Sequence, residues 1–264
     1  MSKAEYLQTA LKAAVSAGNL IEERHKDILN ASRKESLRDI VTHVDKLAEN
    51  QIIDILKDYD KNIPILTEES GLVQGRTEKT YWIVDALDGT VNYVNHIPFY
   101  AVSIALFDKN KITVGVIFNP YSNELYYGSD GLGVFKNQKP LKIIDRIPEE
   151  CLFSMAFSGK NYEATKRVDE FLLFGKINDS SRGCLRTGSA AMNLAYLAEG
   201  KFGGCLGKAN KIWDVAAGLL LAKLAGSNVQ FKEVDKEKHL VNYIATIPKA
   251  WNLISSNIRG IYQV

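Results

Sequence analysis

A layered α/β fold is predicted, on three observations. The chain opens with long segments of helical periodicity, its middle third is a run of short apolar segments divided by polar turns, and its last third alternates strand-like with helix-like segments. Antiparallel strands in one half and mixed alternation in the other argue for stacked helix and sheet layers rather than a doubly wound dinucleotide fold.

Taken in order, Leu7, Leu11, Ala14, Gly18 and Ile21 recur at helical spacing and predict a helix over residues 3–26. Val44, Leu47, Ala48, Ile52, Ile55 and Leu56 mark a second helix, and residues 63–66 form a short strand running into Glu68 and Glu69. Residues 82–84 read as a buried strand. Residues 100–107 and 112–118 read as a hairpin turning at Asp108-Lys109-Asn110-Lys111. Strands at 124–127 and 133–135 continue the antiparallel run, with a turn over 136–140. The second half gives a strand at 152–157, a helix at 163–174, a helix opened by Gly188 and Ser189, and a strand at 202–206. A helix at 213–225, strands at 229–232 and 243–246, and a terminal helix at 250–257 complete it. The lobes are expected to be residues 1–148 and 149–264, one compact unit with the site between them. No repeat, Pro-rich linker or low-complexity tract marks a separate module.

Composition narrows the function. With 264 residues, 46% of them hydrophobic and 24% charged, an ordinary globular core is expected and disorder is not. A net charge of +2 without a basic block gives no case for nucleic acid, which leaves a small-molecule partner. No apolar run approaches the roughly 18 residues that a membrane span needs. The first residues carry charge and no apolar core of a signal peptide, so a cytoplasmic location is expected. Cys151, Cys184 and Cys205 are an odd, widely spaced set and read as reduced core thiols.

The chemistry concentrates in Tyr81-Trp82-Ile83-Val84-Asp85-Ala86-Leu87-Asp88-Gly89-Thr90. A strand that delivers two carboxylates at its end places them where open α/β sheets bind ligands. Like charges about 4 Å apart at an effective dielectric near 20 repel by roughly 4 kcal/mol. Whole domains are stable by only about 5–15 kcal/mol. Either one carboxyl is protonated or a cation is bound. Oxygen-only ligands of this kind favour Mg²⁺, with Mn²⁺ or Ca²⁺ as alternatives.

Four ordered segments resemble the inositol monophosphatase family. Asp85-Ala86-Leu87-Asp88-Gly89-Thr90 is similar to its D-P-(I/L)-D-G-(S/T) signature, and Trp213-Asp214-Val215-Ala216-Ala217-Gly218 to its W-D-x-A-A-G signature. Thr67-Glu68-Glu69-Ser70 resembles the acidic pair before the first signature, and Asp39 to Asp45 supplies a fourth match. The resemblance implies an α-β-α-β-α sandwich, a homodimer, lithium sensitivity, and a Mg²⁺-dependent phosphomonoesterase acting on a small phosphorylated polyol such as inositol 1-phosphate. It implies two or three Mg²⁺ ions held by Glu68, Asp85, Asp88, Asp214 and the Leu87 carbonyl.

It further implies that Thr90 orients the attacking water, with Asp45 taking the hydroxyl proton and Glu68 assisting. Asp45 equally suits a charge at a helix start, and Asp214 alone would read as a helix cap. Gly89 lets the backbone approach a phosphate, and the Gly89 and Thr90 amides can donate to it. Asp88, Gly89, Thr90, Gly188, Ala190 and Asp214 are the implied substrate contacts, with Ser158 and Lys34 as weaker ones.

Two departures stand out. Ala86 replaces a proline, and Gly207 stands where the family has its polyol-binding glutamate. With Gly203 also lacking an acid and Lys208 and Lys211 nearby, fructose 1,6-bisphosphate, 3′-phosphoadenosine 5′-phosphate and histidinol phosphate join inositol phosphate as candidate substrates. A phospho-aspartate mechanism is disfavoured by the D-x-x-D spacing, and a scaffold that retains the fold without catalysis is the reading from another class. Gly131 and Gly133 lack the third glycine of a dinucleotide loop, and the four histidines make no paired zinc site.

Overall fold

The structure, a computed structural model, describes residues 2–30, 37–73, 75, 79–158 and 164–257, with backbone alone for 26–30, 37–42 and 164–167. Helices α1 (Lys3–Asn30) and α2 (Leu37–Tyr59) come first. Then follow β1 (Ile65–Thr67), β2 (Leu72–Val73), β3 (Thr80–Asp88), the short α3 (Thr90–Val94), β4 (Ala101–Asp108), β5 (Lys111–Asn119), β6 (Glu124–Ser129), β7 (Gly133–Lys136) and β8 (Lys139–Pro140). The second half holds β9 (Leu152–Ala156), α4 (Ala164–Asp179), β10 (Gly183–Leu185), α5 (Ala190–Ala198), β11 (Phe202–Lys211), α6 (Ile212–Ala225), β12 (Asn228–Asp235), β13 (Leu240–Thr246) and α7 (Trp251–Asn257).

Among the described residues, one sheet has eight strands in the order β2-β1-β3-β4-β5-β6-β7-β8 and the other five in the order β10-β9-β11-β13-β12. In the first, only β1 and β3 run parallel; in the second, β9 is parallel to both β10 and β11. Apolar faces explain the stacking. The Ala10, Ala14, Ala17, Ile21 stripe of α1 and the Ala48, Ile52, Leu56 stripe of α2 cover one face of the large sheet. Its other face packs on α5 and α6 through Ile83, Ala105, Ile117, Ala191 and Ala217. The small sheet then closes on α5 and α6 from the far side, with α4 and α7 outside it. This is the expected layered α/β sandwich, α-β-α-β-α. Helix α6 sits between two sheets, which is why Val215, Leu219 and Leu221 on different sides of it are all buried.

Several predicted boundaries are corrected. The central strand runs from Thr80 through Asp88 rather than ending at Val84, because Asp85 and Asp88 still pair across the ladder with Ser103 and Ala101. Helix α2 begins at Leu37, and β11 continues to Lys211 against β13. The turn over 136–140 tightens to Asn137 and Gln138, both left-handed, and so admits the two-residue strand β8. Strands β2 and β10 and helix α3 were not expected; each is too short to show a period. All three cysteines are buried and free. Among the described residues no helix is long and apolar enough to cross a membrane.

Candidate active site

The ladder between β3 and β4 shifts register between Asp85 and Asp88, so the strand bulges where its acids sit. Asp85 Oδ1 accepts from the Leu87 amide at 2.9 Å inside this bulge. Gly89 follows with φ 95°, and a Cβ there would lie 3.0 Å from the Phe99 carbonyl. Only glycine meets both demands. Asp88 is buried and accepts from Ser189 Oγ at 2.5 Å and from the Ala191 amide at 2.7 Å, which fastens β3 to the start of α5. Ser189 also caps α5, accepting from the Met192 amide.

Glu68 arrives beside them because β1 runs parallel to β3, with Thr67 opposite Val84. The turn carrying it is held by a residue that sequence reasoning missed. Glu49, fully buried on α2, accepts from the Glu69 and Ser70 amides, each at 3.0 Å. Its signal was an acid on the apolar face of α2, one turn after Asp45 and beside Ala48 and Ile52. Asp214 lies in the first turn of α6, whose N-cap is Lys211; no side chain caps that helix, so the cap reading of Asp214 is replaced. Ser103 Oγ donates to the Trp213 carbonyl at 3.0 Å and pins this turn to β4. Carboxylate oxygens of Glu68, Asp85 and Asp214 consequently lie within 4.8 Å of one another.

Crowding acids this way has an electrostatic consequence. Burial, then the charges of Glu68, Asp88 and Asp214, hold the Asp85 pKa well above the usual carboxylate range. Asp214 is raised by burial and by Asp88 and Glu68, and Lys211 partly offsets this. Burial takes Asp88 up to about 6, against the Ser189 and Ala191 hydrogen bonds that favour its charged form. Glu68 is raised to about 7 by packing around its carboxyl and by Glu69 and Asp88, although the residue as a whole stays solvent-exposed at the rim. Hard oxygen donors that repel one another at this range fit a hard divalent cation such as Mg²⁺, which would relieve every one of these shifts.

A cavity of about 140 Å³ opens beside the cluster, lined by Asp88, Asp214, Gly188, Ser189 and Ala190. Arg186, Asn193, Asn210 and Phe157 also line it, none of which the sequence had singled out. Asn92 Nδ2 donates to the carbonyls of Phe99 and Thr187, setting the loop that carries Gly188.

Other expected residues are placed differently. Thr90 Oγ1 donates to the Leu87 carbonyl at 3.0 Å. The tight turn after β3 brings that carbonyl into reach, so Leu87 and Thr90 engage each other. Asp45 is buried on α2 with Oδ1 lacking a partner, and burial followed by Glu69, Glu68 and Glu49 takes it up to about 8. Ser158 is turned away from the cavity, its hydroxyl and amide bonded to the buried Glu170. Gly203 is a packing glycine whose Cβ would strike Cys151. Gly207 has no room for a side chain, because Asn210 Oδ1 and the Tyr243 ring occupy that space. Lys34 lies outside the described residues.

Comparison with known proteins gives a consistent result. Residues 2–244 match the inositol monophosphatase family. The chain is 34% identical over 257 residues to Nus factor SuhB of Escherichia coli K12, covering 96% of this chain and 95% of that one. It is 35% identical over 233 residues to inositol-1-monophosphatase of Mesorhizobium japonicum, covering 87% and 86%. The solved inositol monophosphatase of Anabaena superposes with a TM-score of 0.83 at 29% identity, covering 97% of this chain and 96% of that one. With the signature acids gathered on the fold of these relatives, the chain belongs to the inositol monophosphatase family.

Proposed function

We propose that the protein is a Mg²⁺-dependent phosphomonoesterase that hydrolyses a small phosphorylated polyol. The observation that carries this is the convergence of Glu68, Asp85 and Asp214 oxygens within 4.8 Å beside a cavity walled by Asp88. Glu68, Asp85, Asp88 and Asp214 would hold the cation, with the Leu87 carbonyl as a further oxygen donor. When bound, Mg²⁺ supplies Lewis acidity, acidifying water and neutralising charge on the departing alcohol oxygen. Water attacks phosphorus in line, the bond from phosphorus to the alcohol oxygen breaks, and the alcohol leaves with a proton. The chain's part is positioning and charge. Asp45 and Glu68 are the carboxylates available to accept the proton that the attacking water gives up. The Gly89 and Thr90 amides and the Gly188–Ala190 turn receive the phosphate oxygens, where Gly89 presents backbone without a Cβ. Lithium inhibition, a homodimer, and a cytoplasmic location accompany this reading.

A second reading is supported by relatives named Nus factor: a regulatory protein that retains the fold without depending on turnover. One assay separates them. Phosphate release with Mg²⁺ is measured on inositol 1-phosphate, fructose 1,6-bisphosphate, 3′-phosphoadenosine 5′-phosphate and histidinol phosphate. Release from at least one, abolished by a chelator and restored by Mg²⁺, is the expected result. Silence across the panel from folded protein favours the regulatory role.

A further inference from the structure

One residue of the cavity lining carries a carboxamide oxygen with no hydrogen-bond partner. Strand β11 breaks register against β13 between Gly207 and Asn210, and Ala209 between them is left-handed at φ 50°. This excursion folds Asn210 back over Gly207, where its Oδ1 lies in the space a Gly207 Cβ would take. That Oδ1 is buried without a hydrogen-bond partner, and Asn210 lines the same cavity as Asp88 and Asp214. The oxygen is closed off over Gly207, and the Nδ2 of the same carboxamide, which has no hydrogen bond among the described residues, is the atom left to meet a ligand. Arg186 lines the cavity too, and among the described residues no carboxylate forms an ion pair with it.

We infer that Asn210 and Arg186 read the alcohol half of the substrate, and that this alcohol carries a second anionic group, a carboxylate or a second phosphate. This rests on the phosphomonoesterase reading and specifies its substrate. A carboxylate in the place of Asn210 would only accept hydrogen bonds and would repel a second anion. A carboxamide is neutral and carries a donor, so it bonds a ligand oxygen through Nδ2 and tolerates the anion beside it. Arg186 supplies the charge, and its guanidinium suits carboxylate and phosphate alike.

The test compares kcat/KM of the full chain with Mg²⁺ for 3-phosphoglycerate, fructose 1,6-bisphosphate and glycerol 3-phosphate. Binding of the same esters is measured by calorimetry with Ca²⁺ in place of Mg²⁺. The first two probes separate a carboxylate from a second phosphate; the third has a neutral alcohol. Wild type is expected to favour an anionic alcohol by about tenfold or more. Asn210→Asp, nearly isosteric, should cut that preference at least about tenfold, and Arg186→Met should act in the same direction. Equal preference in wild type and Asn210→Asp, or a wild type favouring glycerol 3-phosphate, overturns the inference. Turnover without such a preference sinks this assignment and leaves the phosphomonoesterase reading standing. Binding that depends on Asn210 with no turnover of any ester does the reverse.

Discussion

The acid cluster and the cavity beside it are built on opposite principles. The cluster takes Asp85 and Asp88 from one strand end, three residues apart, and adds Glu68 from the neighbouring parallel strand and Asp214 from a helix start. Its groups crowd like charge, and burial with mutual repulsion raises their pKa values. The cavity takes Arg186 from the loop after β10 and Asn210 from a bulge in β11, and its mark is an unpaired neutral amide. On the proposed function the cluster is complementary to a cation and these cavity residues to a polar organic group.

The comparison breaks most visibly at Asp85. Asp85→Asn keeps an acceptor for the Leu87 amide but removes the central charge of the cluster. Its kcat should fall about a thousandfold, or about 4 kcal/mol. Circular dichroism should be unchanged, and near-normal turnover would remove Asp85 from the cluster's function.

Cation binding should sharpen the contrast through pH. Folded Asp45, Glu68 and Asp88 have pKa values of about 8, 7 and 6, above their ordinary 3.8, 4.5 and 3.8. Between those limits the folded state binds more protons than the unfolded one. Cation-free stability is therefore full below about pH 4 and is lost as pH rises through about 8. Mg²⁺ replaces the lost protons. At about 100 Kd it should add about 2.7 kcal/mol, and so raise Tm by about 5–10 °C for a chain of this size. The gain should be larger at pH 8 than at pH 5. A shift that is flat or reversed across this range would count against the cluster as the cation site.

Beneath Asn210, Gly207→Ala forces a Cβ against Asn210 and Tyr243. Overpacking of this kind costs about 1–3 kcal/mol, to be read in urea unfolding; a neutral effect would show that the Asn210 carboxamide does not occupy that space. The same crowding makes Gly207→Glu a poor route to an acid here and Asn210→Asp the better one. The smallest effect is expected at the seam between β3 and α5. Ser189→Ala removes the N-cap of α5 at a cost of about 1 kcal/mol, and it leaves Asp88 Oδ2 with the Ala191 amide as its remaining donor. A lower Mg²⁺ affinity should accompany the stability loss. Loss of stability with unchanged affinity would make Ser189 a cap alone.

Much of the acid cluster was legible in the chain. Carboxylates, a glycine and a hydroxyl crowded into six residues after an apolar run leave few arrangements, and hydrophobic periods of 3.6 and 2 give the layers. Glu49 was legible in retrospect, since a charge on the buried stripe of α2 needs a partner. Asn210 was not. Nothing local distinguishes it from a turn residue, and its orientation depends on how β11 slips against β13.

By itself the sequence determined that acids would gather at the end of a buried strand and that either a proton or a cation would have to offset their repulsion, because charge repulsion and hydrophobic period act over a few residues. Tertiary structure alone decided that Thr90 bonds the Leu87 carbonyl, that Glu49 fixes the Glu68 turn, and that an amide fills the space over Gly207. Those outcomes depend on which distant backbone groups meet at hydrogen-bonding distance, and that is set only when the layers close.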